Sequence, residues 1–547
     1  MGKKDKSKKK GKGAEKTAAK TEKKVSNKLK KELEALGEDD IESIVAQIEK
    51  EEQQRVKVTE SVIEPPSRRL NFTFIAHPLK DELILYGGEF DNGQKTFVYN
   101  DLFFYNISTS TWTVVKAPAG PPPRCGHQMV ATSSNKGELW LFGGEFSSPT
   151  QSQFYHYRDL WVYHLANKQW EKINAPNGPS ARSGHRMICQ KKQLFVFGGF
   201  YDNLRDYKYY NDLHIFDMET YKWHKIEATG SLPSPRSGCC LTPLPDGKIL
   251  LYGGYSKEKL KKDVDKGHTY TDSFCLTPDK NDTSGLKWKW SQIKIGGLHI
   301  SPRCQIYLFI ENDTSGLKWK WSQIKIGGLH ISPRCSMPMT TAPNNVALCF
   351  GGVFDVEDDE ETLAGKFFND TYSLDLEKLV WRSVLPSGKR DKDTKARRRK
   401  KEEGNDNIEE DVENPIDLEQ SMEQTTISDD GVFKVSLGPS QTNQAVGSSQ
   451  GDTSAPSDIF VPSPRMNSGL AVKHGTLYLY GGMFEDGDKQ ITLNDFYSFD
   501  MKKMDEWKTI IADDRKQEWL GSDSESEENS EGSEEEEESG DEAMDTD

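Results

Sequence analysis

The sequence predicts an all-β chain built from six similar units, on three observations. An apolar run ending in a Gly pair occurs six times, at Gly87-Gly88, Gly143-Gly144, Gly198-Gly199, Gly253-Gly254, Gly351-Gly352 and Gly481-Gly482. Each pair is followed by an Asp that opens another apolar run: Asp101, Asp159, Asp212, Asp272, Asp370 and Asp495. A tryptophan then follows each, at Trp112, Trp170, Trp223, Trp290, Trp381 and Trp507. Runs this short, bounded and aromatic-rich read as strands, about four per unit. Six such sheets set radially make a six-bladed β-propeller, whose edges stay short and protected.

Each element has a physical reason. The Gly pair lets the backbone leave its strand without a Cβ clash. The tryptophan supplies a large anchor for packing one sheet on the next. A Pro/Arg turn precedes each Gly pair, as in PPPRCGH, PSARSGH and PSPRSGC. The distance from first glycine to tryptophan is 25, 27, 25, 37, 30 and 26 residues in the six units. Consecutive pairs in the first four units lie 56, 55 and 55 residues apart. A unit of this size, with a Gly pair and a distal tryptophan, resembles the kelch repeat. The resemblance covers about residues 65–385 and 460–512.

One stretch breaks the pattern. Residues 281–304 recur unchanged at 312–335. Spacing assigns Trp290 to the fourth unit and Arg334 to the fifth, so the duplicated insert near 291–334 is expected to form an extra loop or hairpin and no seventh blade.

Outside the units the chain divides by composition. Residues 1–31 carry fourteen lysines and three acids, and residues 521–547 carry fourteen acids and no base. Like charges in blocks repel one another and bury nothing, so 1–38 and 513–547 read as solvated basic and acidic tails. Residues 39–60 read as one amphipathic helix: Ile41, Ile44, Val45 and Ile48 form an apolar stripe behind a possible Asp39 cap. That helix either packs on the propeller or presents a partner groove, with packing favoured. Blades one to five occupy 62–385 and blade six 459–512; between them 386–458 is Ser/Gln/Asp/Glu-rich and reads as a long disordered linker. Within it VFKVSL at 432–437 alternates like a strand.

Strand order fixes which loops share a face. The Pro/Arg turns and the loops after the Gly pairs emerge together, which places Arg124, Arg182, Arg236, Arg334 and Arg465 around a channel mouth. The same face should display Tyr155, Tyr157, Arg205, Tyr207, Tyr209, Tyr210 and the basic run Lys257, Lys259, Lys261 and Lys262. Arginine and tyrosine anchor protein interfaces, and arginine forks suit carboxylates and phosphates. Recurrence of the arginines at one repeat position favours a structural contact inside each blade. The tyrosines and lysines do not repeat in every unit, so they rank higher as partner-binding candidates.

Chemistry is otherwise sparse. No Walker loop, dinucleotide fingerprint or HExxH occurs, and the GSSQG at 447–451 lacks the strand–turn–helix that a nucleophile elbow needs. The eight cysteines form no C-x-x-C pair and read as reduced thiols. No catalytic residue, metal or cofactor is expected, and neither is a small-molecule substrate. No apolar run reaches the roughly 18 residues of a bilayer span, so no membrane partner is expected.

The leading reading is a non-catalytic scaffold that holds a protein partner on its Arg/Tyr face. Alternatives are a substrate adaptor of a ubiquitin ligase, as the kelch resemblance implies for many such proteins, or a ribonucleoprotein-associated or assembly factor. The last would contact RNA through residues 1–31. The clusters at Lys389-Arg390 and at 397–401 resemble a two-part nuclear import signal, so cytoplasm, nucleus or both are expected. Ser522, Ser524 and Ser533 stand three residues before an acid, a context that favours phosphorylation.

Overall fold

The computed structural model describes residues 39–203, 206–261, 264–279, 282, 284–293, 307–309, 321–323, 331–359, 362–388, 459–487 and 489–513. The chain forms two compact units, residues 1–386 with 461–547, and residues 387–460. All six blades belong to the first.

The four core strands of each blade are antiparallel and run from the axis outward in chain order. Blade two shows the plan: Gln128–Thr132, Glu138–Phe142, Leu160–His164 and Gln169–Ile173. The other innermost strands are Thr73–Ala76, Arg186–Gln190, Cys240–Pro243, Met339–Ala342 and Gly469–Lys473. Neighbouring inner strands touch all the way round, blade six against blade one included. They enclose an axial channel of about 750 Å³.

The second strand of each blade carries the apolar run, and it is buried on both faces because a neighbouring blade covers each side. Leu83, Ile84 and Leu85 in blade one, and Leu139 and Leu141 in blade two, are fully buried. The last residue of that run, just before the Gly pair, is aromatic in every blade. It receives the tryptophan of the following blade: Tyr86–Trp170, Phe142–Trp223, Phe197–Trp290, Tyr252–Trp381 and Phe350–Trp507, with ring centroids 5.4 to 5.8 Å apart. Tyr480 of blade six takes Trp112 of blade one at 5.6 Å. This sixth pair closes the ring head to tail.

Closure involves no strand exchange. Blade six takes its four strands from Gly469–Ile511 and blade one its inner four from Thr73–Lys116. An aromatic seam joins them, with Phe74 and Tyr105 against Phe496 at 6.0 and 4.9 Å. Tyr480 also donates its hydroxyl to the Pro66 carbonyl at 2.9 Å.

Backbone hydrogen bonds stitch the blades near the axis. The residue two after each repeated arginine adopts a left-handed conformation, from Asn71 (φ 55°) through Gly126, Gly184, Gly238 and Ser336 to Asn467 (φ 52°). These six residues form a collar. Gly126 donates to the Asn71 carbonyl, Gly184 to Gly126, Gly238 to Gly184 and Asn467 to Ser336, at 2.9 to 3.1 Å. The Gly pair explains itself at the same level. A Cβ on Gly198 would stand 2.6 Å from the Arg236 carbonyl of the next blade, and φ there is +67°. The short distance leaves the Gly199 N–H free to donate to that carbonyl at 2.9 Å.

Several expectations need correction. The helix spans Ile41–Gln54, and its N-cap is Asp40, not Asp39. No side chain of the helix caps it; Gln153, from the hairpin of blade two, accepts from the Ile41 N–H at 3.0 Å and donates to the Asp39 carbonyl at 2.9 Å. After the helix, Thr59–Ile63 adds a fifth strand to the outer edge of blade one, paired with Trp112–Lys116. Its β-branched residues suit an edge, but its charge and shortness hid it in the sequence. Blade four also gains a short outer strand, Thr229–Gly230, parallel to its neighbour.

In the duplicated stretch Tyr307–Phe309 pairs antiparallel with Trp321–Gln323, and no seventh four-stranded sheet forms among the described residues. Trp290 sits in the outer strand of blade four, and Arg334 pairs with Asp370 in blade five. VFKVSL, the import-like cluster, Ser522, Ser524, Ser533 and both charged tails lie outside the described residues.

Candidate functional site

Six hairpins that follow the Gly pairs rise on one face of the disc and ring the channel mouth. In blades one to three they are short: Glu89–Asp91 with Thr96–Val98, Glu145–Ser147 with Phe154–His156, and Phe200–Asp202 with Tyr207–Tyr209. In blades four and six the central strands continue through the Gly pair, as Ile249–Lys261 with Val264–Pro278 and Thr476–Asp486 with Lys489–Asp500. Blade five carries Val353–Asp359 with Thr362–Phe367. Hairpins four and five are the longest, with 17 residues between the Gly pair and the repeated Asp against 12 to 14 in the other four, so the rim is tall over blades four and five and low elsewhere.

The repeated arginines are not part of the accessible rim. Arg124, Arg182, Arg236, Arg334 and Arg465 are at most 3% exposed. Each guanidinium is filled by its own blade. Nη1 donates to the carbonyl of the first glycine of the pair at 3.0 to 3.1 Å. Nε donates to the carbonyl two residues upstream at 3.0 to 3.2 Å. Both Nη atoms then grip the repeated aspartate: Asp159, Asp212, Asp272, Asp370 and Asp495. With Nε and both Nη atoms bonded inside the blade, these five are latches, which corrects their assignment to partner binding. Burial alone would lower an arginine's pKa, but the Asp159 carboxylate holds Arg124 above its ordinary value. Arg69 occupies the same place in blade one and bonds the Gly87 carbonyl at 3.1 Å, without the paired carboxylate contact.

Two of the loop tyrosines belong to the same latch. Tyr157 lies 4.0 Å under the Arg124 guanidinium, and Tyr210 lies 4.1 Å under Arg182. Tyr99, Tyr270 and Phe368 serve blades one, four and five in the same way at 3.6 to 4.3 Å. An aromatic residue two before the repeated Asp was the missed signal; it recurs in five units and pairs with the arginine. Tyr155 is also taken: it packs on Tyr157 with ring centroids 5.1 Å apart, in the cluster that buries Ile41 and Val45 of the helix Ile41–Gln54 with Phe146 and Tyr157. The helix thus packs on the propeller and covers part of the low side of the rim. Tyr209 packs on Phe200 and Tyr255, tying hairpin three to hairpin four.

What stays accessible lies on the tall side and beside it. Tyr207 is partly exposed and donates to Asp265 at 2.9 Å. Lys257 and Lys259 are exposed on hairpin four, together with Glu258 and Lys266. Arg205 and Lys262 lie outside the described residues, and for Lys261 only the strand position is described.

Other titratable groups are neutralised by burial. His127 and His185 sit between blades; burial, with Arg124 beside it, pushes His127 down to about 3, and burial moves His185 in the same direction. Both imidazoles are neutral in the fold, while the unfolded chain takes up protons below about pH 6.5. Acid therefore favours unfolding, and the stability these sites share is lost as pH falls from about 6.5 toward 3. Blade one has Phe72 at this repeat position. His127→Phe is expected to move the acid-unfolding midpoint, followed by circular dichroism, to lower pH; an unchanged midpoint would refute this account. Burial raises Cys335 to about 12 and Cys189 to about 11, so neither is a reactive thiol. Among the described residues, no three His, Cys, Asp or Glu side chains are placed to hold a metal ion. No helix among them is long and apolar enough to cross a membrane.

Repeat, latch and head-to-tail ring together have the form of a kelch-repeat β-propeller, and comparison with known proteins finds the same kind of domain over part of the chain. Residues 69–274 match the model of the FBX42 β-propeller domain. The chain is 30% identical over 161 residues to Kelch domain-containing protein 3 of Rattus norvegicus, covering 29% of this chain and 41% of that protein. It is 27% identical over 191 residues to Tip elongation aberrant protein 1 of Schizosaccharomyces pombe, covering 34% of this chain and 15% of that protein. It is 26% identical over 242 residues to N-(sulfonatooxy)prop-2-enimidothioate sulfolyase of Thlaspi arvense, covering 41% and 64%. The chain spans less than two thirds of the length of each.

Proposed function

We propose that this protein is a non-catalytic scaffold that holds a protein partner on the tall side of its hairpin rim, over blades four and five and the adjoining hairpin of blade three. The observation that carries this reading is the asymmetry of the rim. The chain's own helix covers part of the low side, and the arginines are sealed, whereas Lys257 and Lys259 are exposed on the long hairpin four and Tyr207 is partly exposed on hairpin three beside it. A rigid hairpin needs no backbone ordering on binding, and a partly open tyrosine beside exposed lysines favours protein recognition over chemistry.

Partner capture by proximity labelling tests it. Lys257→Glu with Lys259→Glu is expected to reduce captured partners at least tenfold. Lys192→Glu, on an exposed loop of the opposite face, is expected to leave them unchanged. Equal loss from both variants, or from neither, would defeat the proposal. The fourteen lysines of residues 1–31 support a second reading, assembly with RNA. Nuclease-sensitive and salt-sensitive recovery of partners would favour it, and recovery of ligase scaffold subunits would favour an adaptor role.

A further inference from the structure

Two residues after the collar the six blades carry Thr73, Gln128, Arg186, Cys240, Pro338 and Gly469, so Arg186 of blade three is the one charged residue at that place. It is half-buried and lines the axial channel. Its Nε donates to the Cys239 carbonyl of blade four at 2.5 Å. Among the described residues, neither Nη atom has a hydrogen-bond or ion-pair partner. The other Asp, Glu, Lys or Arg that lines the channel is Glu145. Burial and the charge of Glu89 push its carboxyl up to about 8, so at pH 7 it is largely protonated and leaves the guanidinium charge unbalanced.

The collar is open at the place that Arg186 reaches. Gly238, next to Cys239, donates to the Gly184 carbonyl at 3.0 Å, but the following link, from the Ser336 N–H to the Gly238 carbonyl, is not made. Ser336 N and Oγ both lie 3.6 Å from the point where a Cβ on Gly238 would stand. The hydroxyl has only the weak acceptor Cys335 Sγ, at 4.0 Å. The Arg186 charge is felt at that neighbouring thiol, where it opposes the upward push of burial. Thr242, further along the inner strand of blade four, also lines the channel; it is 2% exposed and its Oγ1 has no partner. Unanswered donors gathered in a cavity of about 750 Å³ are half of a binding site, and what they lack is an acceptor that carries negative charge.

We propose that the axial channel binds an oxyanion, a carboxylate or phosphate group, in the fork of Arg186, with the N–H and hydroxyl of Ser336 as further donors. The site lies inside the disc, apart from the exposed lysines of hairpin four, and does not depend on the scaffold reading. A cavity of this size admits a small free anion, and the same fork would take an acidic group carried in by a partner.

Thermal unfolding of the full chain in inorganic phosphate, acetate or succinate, at matched ionic strength, tests it. The midpoint is expected to rise and saturate with at least one of these anions, because a ligand that binds only the folded state stabilises it by mass action. Arg186→Gln gives blade three the residue type of Gln128, and an unchanged circular dichroism spectrum shows that it folds. It should weaken the anion about tenfold or more, as loss of a hydrogen bond to a charged group does. Arg186→Lys keeps the charge without the fork and should retain part of the binding. Lys257→Glu with Lys259→Glu should leave it unchanged. Where no free anion moves the midpoint, partner capture that falls in Arg186→Gln and recovers in part in Arg186→Lys identifies the partner as the source of the oxyanion. Shifts that are equal in wild type and Arg186→Gln overturn the site. No shift together with unchanged capture, or with a loss that Arg186→Lys does not relieve, overturns it as well, and each of these results leaves the scaffold reading standing.

Discussion

Replacing Arg465 by Met is expected to destabilise the protein by about 3–5 kcal/mol, read from the midpoint of denaturant unfolding. Arg465 and Asp495 are both essentially sealed from solvent and share contacts of 2.5 and 2.8 Å. Removing the guanidinium strands a buried carboxylate, and it also leaves the Gly481 carbonyl without its donor at 3.0 Å. The charge, not the lost contact, dominates the cost. The double variant Arg465→Met with Asp495→Leu should therefore recover most of the stability, since an apolar pair of similar volume replaces an ion pair with little net loss. Equal destabilisation by the single and double variants would show that the latch acts through shape alone. Among the latches this one should be the most sensitive, because Asp272 and Asp370 are about a third exposed and can be hydrated when left alone.

Trp112→Ala should cost about 3–5 kcal/mol, the range for deleting a buried aromatic from a packed core. Trp112 is 2% exposed and packs on Tyr105, Tyr480 and Phe496 with centroids 5.0 to 5.9 Å apart. Its position makes the loss specific. No strand crosses from blade six to blade one, so this aromatic seam carries the closure together with a few side-chain bonds such as Arg68 to the Thr492 carbonyl at 2.9 Å. Limited proteolysis of the variant should cut within 461–513 before any other described part of the ring. Trp223→Ala, at an internal junction, should cost a similar amount without that preference. Uniform cleavage in both variants would mean that the seam is no weaker than the other junctions.

Features that repeat were legible in the sequence. Gly pair, aspartate and tryptophan each recur six times, so their spacing exposed the blades, their number and their order. The latch was only half legible. Arginine and aspartate were both visible as repeats, but they lie 30 to 36 residues apart, so nothing local joined them. The aromatic that stacks on the arginine was hidden by substitution, being Tyr in four blades, Phe in blade five and Leu493 in blade six. Tyr157 and Tyr210 consequently looked like irregular loop residues free for binding, when they fill a repeated place. What occurs once was not legible. Gln153 reaches a helix 112 residues away, and neither partner carries a mark of the other.

The collar itself has two open links. No hydrogen bond joins Gly238 to Ser336, and none joins Asn467 to Asn71, although all four residues are described. The Gly-pair stitch agrees: Gly482 reaches the Arg69 carbonyl at 3.4 Å, and no counterpart runs from Gly254 to Arg334. The disc is thus two arcs, one of four wedges and one of two, clasped along lines held by apolar packing and a few side-chain hydrogen bonds. Both lines fall where the chain departs from its repeat, at the duplicated stretch and at the ends of the ring. A molecule assembled this way yields along chosen fault lines, as a hinged bracelet does, so its smaller arc can give way while the larger keeps its form.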